Sequence, residues 1–305
     1  MPRQTEDLFR KVQEYLKNYP DEIRNEEDLN RIIAEYMLEY NQNTQNHTAN
    51  HSPQTSDDYL ELAEEASSHK KCIEYLNKAL ELDSDNIDAA RMLIDETVKD
   101  PIEALEKYKA LIKKGAKILD KQGYFDHNQN HEFWLAFDTR PYMRARYWYM
   151  KLLIDCGMIR QATLECKEML KLCRSDNLGV RYDLMHLYAL LEDESAATKL
   201  FKQYQEISAH FILPYSILYF KLGDFNKSAK LLKDLAEENK DTKKFFRIIN
   251  SKNSSSMDKY IQEMNPYGEK FNSIDELLGE INNYSYLTVP TLHYFKWANN
   301  QLKKK

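Results

Sequence analysis

Hydrophobic residues recur at helical spacing along most of the chain. Near the amino terminus they fall three or four positions apart, as one face of an amphipathic helix requires. These residues are Leu8, Phe9, Val12, Tyr15 and Leu16. A second run follows Asn25, a residue type that caps helices, and continues to Tyr40. The pattern predicts a pair of helices over residues 1–43.

The next segment has a different composition. From residue 41 to residue 57 the chain is rich in Asn, Gln, Thr and Ser, and its largest aliphatic side chain is that of Ala49. A segment with so little apolar surface to bury cannot offset the entropy lost on ordering. We therefore expect residues 44–57 to be a flexible linker between the helix pair and the main body.

From Asp58 onward a helix, a short turn and a second helix recur. A small residue lies at an equivalent place in each second helix: Cys72, Ala104, Ala162, Ala196 and Ser228. Their separations are 32, 58, 34 and 32 residues. The separation of 58 residues equals one repeat of about 34 residues plus about 24 more. The extra residues predict an insertion or an elongated second helix near residues 115–140.

This pattern resembles the tetratricopeptide repeat (TPR), a helical hairpin in which small residues let the two helices approach each other. The resemblance implies an all-α solenoid, a right-handed superhelix of stacked hairpins with a concave wall built from the first helices. It places five hairpins in residues 58–240 and a helical cap and tail in residues 241–305. Proline suits a first helical turn, so we expect the fifth repeat's first helix to begin at Leu213 or Pro214.

Three longer motifs carry a closer resemblance. Residues 132–134 lead to Thr139-Arg140-Pro141-Tyr142-Met143-Arg144-Ala145-Arg146, and the other two motifs span residues 176–182 and 265–271. With the helix pair before them, these motifs resemble a group of bacterial cytoplasmic TPR proteins whose repeats are similar to the suppressor-of-tumorigenicity family. The resemblance implies the repeat fold more than a particular activity.

Composition excludes several classes of function. The chain has 305 residues, with 43 Lys and Arg against 49 Asp and Glu, which gives a net charge of −6. A dedicated nucleic-acid-binding protein usually has a basic excess, so we expect no nucleic-acid partner. There are only 7 glycines and neither a G-x-G-x-x-G nor a G-x-x-x-x-G-K motif. We therefore expect no nucleotide cofactor of the kind that such glycine-rich loops hold.

The sequence also indicates a cytoplasmic protein. Its first residues lack the apolar core of a signal peptide. The longest apolar stretch, Phe211 to Phe220, is about half a bilayer span and is interrupted by Pro214. The four cysteines have no paired spacing, which suggests buried thiols in a reducing compartment. We expect no membrane partner.

The repeat register predicts a binding surface on two first helices. It places six basic and aromatic residues on the concave wall: Arg144, Tyr147, Trp148, Lys151, Arg181 and Tyr182. Arginine binds a carboxylate through two parallel hydrogen bonds, and aromatic rings supply rigid apolar area. We therefore predict binding of a peptide or protein segment, most simply an acidic one. The alternative is that Arg144 and Arg181 pair with acidic residues of the insertion, such as Asp126, or with the C-terminal segment folded into the groove. The protein would then be structural or self-associating.

No motif indicates catalysis or a metal site. The sequence has no G-x-S-x-G and no H-E-x-x-H motif. Two histidine pairs, His47 with His51 and His127 with His131, have helical spacing, but neither has the further fixed ligands that a zinc site needs. We predict a non-enzymatic interaction scaffold or adaptor with no cofactor and no metal. A weaker alternative is an enzyme whose cleft lies near Arg140 or His186.

Overall fold

The structure is a computed structural model that describes residues 3–20, 22–47, 53–126, 132–251 and 270–303. These residues form α-helices and short 3-10 turns, and no β-strand lies among them. The helices are α1 (Arg3–Leu16), α2 (Glu26–His47), α3 (Ser56–Glu64), α4 (His69–Leu82), α5 (Ile87–Thr97), α6 (Pro101–Lys121), α7 (Arg140–Asp155), α8 (Ile159–Leu172), α9 (Val180–Leu191), α10 (Glu194–Tyr204), α11 (Ala209–Lys221), α12 (Phe225–Glu238), α13 (Thr242–Ile249), α14 (Ile274–Asn283), α15 (Ser285–Thr288) and α16 (Leu292–Lys303). The predicted all-α class is confirmed.

The chain divides into two compact units, Met1–Leu152 and Leu153–Lys305. In the first unit, α3 packs on α4, α4 on α5 and α5 on α6, so that consecutive helices are also neighbours in space. A core of buried residues joins α3, α4 and α5: Leu60, Ala63, Cys72, Leu76, Ala79 and Ala89. A second core joins Ile87, Leu111 and Ala145 and ties α5 and α6 to α7.

Side chains cap the helices of the first unit. Thr55 and Asp58 form a capping box, in which Thr55 Oγ1 accepts from the Asp58 amide at 3.1 Å and Asp58 Oδ2 accepts from the Thr55 amide at 2.9 Å. The Asp100 carboxylate accepts from the Glu103 amide at 2.8 Å, and Pro101 takes the first position of α6. These contacts satisfy amides that have no partner within their helices.

The second unit repeats the arrangement of sequential hairpins. Helix α8 packs on α9, α9 on α10 and α11, and α11 on α12. The turns that lead into α8 and α12 contain Gly157 (φ 69°) and Gly223 (φ 80°). This left-handed conformation favours glycine, so both residues let the chain reverse within a few residues.

Small residues let α11 and α12 approach each other closely. Ser216 Oγ donates to the Ser228 carbonyl at 2.9 Å, and Ser228 Oγ donates to the Ser216 carbonyl at 2.8 Å. The Tyr294 hydroxyl on α16 adds a bond to Ser216 Oγ at 2.9 Å. All three residues have no exposed area. The helices therefore meet through a satisfied polar contact that leaves no space for a larger side chain.

Most residues at the repeated small position are buried as the sequence pattern predicts. Cys72, Ala104, Ala162 and Ser228 are buried on α4, α6, α8 and α12. In α10, however, the buried residue is Ala197, and Ala196 is partly exposed. The repeat register is therefore displaced by one residue in the fourth hairpin.

The observed helix ends show how the irregular segments of the sequence fold. Helix α2 continues to His47 and α3 begins at Ser56, so helices enter both ends of the segment that composition indicates as a linker. Helix α6 continues to Lys121, well into the predicted insertion. Residues 48–52, 127–131 and 252–269 lie outside the described residues, and with them His51, His127, His131 and most of the 265–271 motif. The domain boundaries stay a prediction.

Helix α11 differs from the sequence-based expectation. It begins at Ala209 rather than at Leu213 or Pro214, and Pro214 lies inside it. The earlier start has an electrostatic cause, because the buried carboxylate of Glu276 accepts a hydrogen bond from the Ala209 amide at 2.9 Å. A carboxylate at this end complements the helix dipole. Among the described residues, no helix is both long enough and apolar enough to cross a bilayer.

The serine contact between α11 and α12 gives a test of the packing. We expect Ser228→Leu to lower the free energy of unfolding by about 1–3 kcal/mol or more, because a larger side chain must displace one of the two helices. Asn226→Leu is the control, since Asn226 is exposed on the same helix. Urea unfolding followed by circular dichroism measures both variants. Equal stability of the two variants would contradict the close contact.

Candidate functional site

Arg144, the first residue of the predicted binding surface, is held by two carboxylates of the same unit. Its Nε and Nη2 donate to the two oxygens of Asp88 at 3.0 and 2.5 Å. Its Nη1 donates to Glu6 Oε2 at 2.7 Å. Burial opposes the charge of Arg144, but the hydrogen bonds and charges of Asp88 and Glu6 outweigh it and raise the pKa of Arg144. The partners are thus α5 and α1, not Asp126 or the C-terminal segment.

Glu6 lies between two arginines of α7. It is 1% exposed, and Arg140 Nη1 lies 3.1 Å from its second oxygen, Oε1. Arg140 also donates from Nε to the Trp134 carbonyl at 2.7 Å, and its guanidinium lies 4.4 Å from the centre of the Phe137 ring. Phe9 of α1 stacks on Phe137 with 6.2 Å between ring centres. One carboxylate and one aromatic ring of α1 therefore contact the start of α7 and the turn before it.

The other predicted residues of α7 form a more open group. Trp148 is 47% exposed, and its ring meets the ring of Tyr147 edge to face at 6.0 Å. Lys151 Nζ lies 5.6 Å from the centre of the Tyr147 ring, and the Arg91 guanidinium lies 6.0 Å from the centre of the Trp148 ring. An exposed tryptophan beside a half-buried tyrosine, with cations next to both rings, can pack on a partner segment.

Arg181, in the second unit, has its donors engaged within the chain. Its Nη1 donates to Asp176 Oδ2 at 2.9 Å, its Nε donates to Glu206 Oε2 at 3.0 Å, and its Nη2 donates to the Tyr182 hydroxyl at 2.5 Å. Asp176 also accepts from the Val180 and Arg181 amides at 2.8 and 3.0 Å, so it caps α9. The guanidinium thus supports the start of α9.

Tyr182 belongs to the same network. Its hydroxyl donates to Glu206 Oε1 at 2.7 Å. Burial and this hydrogen bond raise the pKa of Tyr182. Burial alone would raise the pKa of Glu206, but the nearby Ser208 hydroxyl and the hydrogen bonds from Tyr182 and Arg181 hold it below its ordinary value. Arg181 and Tyr182, which are adjacent in the sequence, thus share the carboxylate of Glu206.

A further charged cluster lies behind Tyr182. Glu280 of α14 has no exposed area; its Oε2 lies 2.7 Å from His186 Nε2, and its Oε1 contacts His210 Nδ1. His186 Nδ1 lies 2.8 Å from the Tyr182 carbonyl, which can only accept, so this nitrogen carries a proton. Burial opposes ionisation of Glu280, but the two histidines outweigh it and lower its pKa to about 2.

A second buried carboxylate of α14 joins the repeats to the helices that follow them. Glu276 is 1% exposed and accepts from the Ala209 amide and from the Asn272 amide, each at 2.9 Å. Burial raises the pKa of Glu276. Glu276 and Glu280 are four residues apart, so both lie on one face of α14. That face supplies the start of α11 with a cap and the two histidines with a counter-ion.

Sequence reasoning found some of these residues and missed their partners. It placed Arg144 and Arg181 at binding positions, and both bind carboxylates, although these belong to the chain. It missed Glu6, Asp88 and Glu280. Asp88 lies in a run with helical periodicity and no charge pattern of its own, and Glu6 lies on a helix whose partner was unknown. Arg140 belongs to the motif that spans residues 139–146, and no peptide-binding role was predicted for it. The peptide-binding role of the six predicted residues stays a prediction.

Similarity to known proteins is found among solved structures. No protein-family model matches the chain, and no curated protein is similar to it. A solved structure of a tetratricopeptide repeat protein from Parabacteroides merdae ATCC 43184 is similar over 83% of this chain and 95% of that chain, at 17% sequence identity and a TM-score of 0.43. The helical hairpins described above are established by their own contacts.

The pairing of Glu280 predicts a large loss of stability in one variant. We expect Glu280→Gln to lower the free energy of unfolding by about 3–5 kcal/mol, because it removes the counter-charge of a buried ion pair. Glu237→Gln is the matched control, since Glu237 is exposed on α12. Urea titration at pH 6 measures both variants. A loss below about 1 kcal/mol for Glu280→Gln, the range of exposed pairs, would show that the buried pair is not formed.

The lowered pKa of Glu280 predicts how this contribution changes with pH. The folded state holds the pKa of Glu280 at about 2, below its ordinary value of 4.5, so the stabilisation is complete above pH 4.5 and is lost as the pH falls toward 2. We expect the stability difference between the native chain and Glu280→Gln to be largest near pH 5 and to shrink steadily between about pH 4.5 and 2. Unfolding curves of both proteins across this range measure it. A difference that is constant over the range would contradict the assignment.

Proposed function

We propose that the protein is a non-enzymatic interaction scaffold that binds an acidic amphipathic helix on the face of α7. In the isolated chain its own α1 occupies this face. The observation that supports the proposal is the position of Glu6, which is buried between Arg140 and Arg144. Arg144, which the sequence predicts to bind an acidic ligand, thus already binds one carboxylate of α1.

The geometry indicates what a competing segment must offer. It needs a carboxylate that can reach both arginines and an apolar side chain that can replace Phe9 on Phe137. When α1 leaves, Arg144 keeps its ion pair with Asp88. The loss of Glu6 therefore does not leave the guanidinium of Arg144 buried without a counter-charge. Trp148 and Tyr147 extend the same surface and supply aromatic contact area.

The resemblance to bacterial cytoplasmic TPR proteins supports the same proposal. Helical hairpins in sequence present first helices as a continuous binding wall, and such repeats bind protein segments. We propose a cytoplasmic protein in the group related to the suppressor-of-tumorigenicity family, with a protein partner and no cofactor. Arg181 and Tyr182 bind no ligand in this proposal, because their donors already bind Asp176 and Glu206.

A second function is favoured by the same contact. If α1 never leaves α7, the contact is structural and the protein has no ligand at this face. The two functions differ only in whether a free helix with a carboxylate at the position of Glu6 can compete with α1. Competition is therefore the property to measure.

The test uses the full chain and a fluorescent peptide with the sequence of residues 1–20. We expect Glu6→Gln in the full chain to bind this peptide about tenfold more tightly than the native chain does, because the variant's own α1 competes less strongly. Adding Arg144→Met to the variant should remove the binding. Fluorescence anisotropy titration measures all three proteins.

Two controls are matched to these changes. Glu27→Gln alters an exposed carboxylate on α2, and Arg160→Met alters an exposed arginine on α8. Both should leave the peptide affinity unchanged. If the peptide does not bind a folded Glu6→Gln chain, the scaffold proposal for α7 is wrong and the structural alternative stands.

A further inference from the structure

A groove lies between α8 and α10, on helices other than those assigned to the proposed function. Its volume is about 690 Å³, within the range of sites that hold a ligand. Its apolar lining comes from α8, α9 and α10: Leu164, Leu170, Leu184, Tyr188, Ala196 and Leu200. Leu164 is 61% exposed, so a large apolar side chain stands at the edge of the groove with much of its surface in water.

Both walls of the groove have a helical register that suits a third helix. On α8, Leu164, Lys167 and Lys171 follow each other at intervals of three and four residues, so they lie on one face. On α10, Lys199 and Gln203 are four residues apart and lie on the opposite wall. Each wall thus presents polar groups above an apolar floor, the arrangement that receives an amphipathic helix.

The charge of the groove is opposite to that of the chain. Three lysines line it, against the two carboxylates of Glu168 and Asp193. An adjoining cavity of about 440 Å³ has one further lysine, Lys202, and one further carboxylate, Glu194, in its lining. The two cavities together therefore have four lysines against three carboxylates. The whole chain has a net charge of −6, so a local excess of lysines directs acidic segments to this place.

The carboxylates beside the groove already have partners. Glu168 accepts from Lys171 at 2.5 Å, Asp193 caps α10 by accepting from the Ala196 amide at 3.0 Å, and Glu194 lies 3.6 Å from Lys227. In the part of the chain that the structure describes, no carboxylate forms an ion pair with Lys199 or Lys202. The groove therefore keeps cationic donors for a ligand.

We propose that the groove between α8 and α10 binds an acidic, leucine-bearing amphipathic helix of a partner protein. The apolar face of that helix packs on Leu164, Tyr188 and Leu200, and its carboxylates reach Lys167 and Lys199. The site is separate from the α7 face, so one chain can hold two different segments. Its recognition combines apolar burial with exposed ion pairs, and its affinity falls as salt increases.

The experiment selects ligands without assuming a sequence. A display library of random peptides of about sixteen residues, roughly four helical turns, is first depleted on the full chain carrying Lys167→Glu with Lys199→Glu. It is then selected on the native full chain. The depletion removes peptides that bind α7 or any other surface. Lys230→Glu with Lys233→Glu is the matched control, because both lysines are exposed on α12.

The expected result is a set of enriched peptides rich in Asp and Glu, with leucine or a similar residue every three or four positions. They should bind the native chain and the α12 control equally and lose at least about tenfold in affinity for the groove variant. Leu164→Asp, which leaves every lysine in place, should weaken them as well. Circular dichroism of each variant verifies that it is folded.

Three results would overturn the proposal. Selection that enriches no peptide sensitive to Lys167→Glu with Lys199→Glu shows that the groove binds no such helix. Enrichment of basic or uncharged peptides shows that the charge argument is wrong. A native chain that forms dimers in analytical ultracentrifugation, with dimers lost in Leu164→Asp, shows that the occupant is a second copy of this chain.

Discussion

The cost of burying a charge determines which helices of this protein must meet. An ionised carboxylate in a protein interior is stable only where a cation and hydrogen bonds replace the water it has lost. Glu6, Asp88 and Glu280 are each at most 4% exposed, and each contacts arginine or histidine side chains from another helix. Apolar packing brings helices together but is not directional, so it defines their relative position only loosely. The ion pairs define that position more closely, because guanidinium and imidazole groups donate hydrogen bonds in few directions. Together they fix α1 and α5 against α7 in the first unit, and α14 against α9 and α11 in the second.

The sequence is sufficient to predict the helices but not the partners of Glu6, Asp88 and Glu280. Periodicity identifies the hairpins, since a helix that buries one face must repeat its apolar residues at that spacing. The small residue at the position of Ser228 was likewise visible, because close helices need it. Glu6 and Arg144 are separated by 138 residues, and His186 and Glu280 by 94. No local pattern connects residues so far apart, so only the types of the binding residues could be predicted. The start of α11 was missed for the same reason, because its cap comes from Glu276, 67 residues away.

The two proposed surfaces differ in how they meet a partner. The arginines on the face of α7 already bind carboxylates of the chain. A ligand there replaces the intramolecular carboxylate of Glu6 with its own, so its binding free energy is only the difference between the two contacts. The groove between α8 and α10 has exposed lysines, and a ligand there adds new pairs to a surface that water now covers. The first surface therefore discriminates between ligands, because weak competitors cannot displace α1. The second depends on ionic strength, because its charges lie in solvent. A protein with both can hold one segment selectively and a second one loosely.

The long separation between the histidines and Glu280 has a consequence for folding on the ribosome. A chain emerges from its amino terminus, and domains generally fold as they appear. Helices α9 and α11 leave the exit tunnel well before α14, which follows His186 by roughly ninety residues in the chain. Until α14 arrives, the imidazoles lack their counter-ion and the amide of Ala209 lacks its acceptor. The nascent second unit is thus incomplete through most of its synthesis, and a chaperone that protects exposed apolar helices has that interval in which to act.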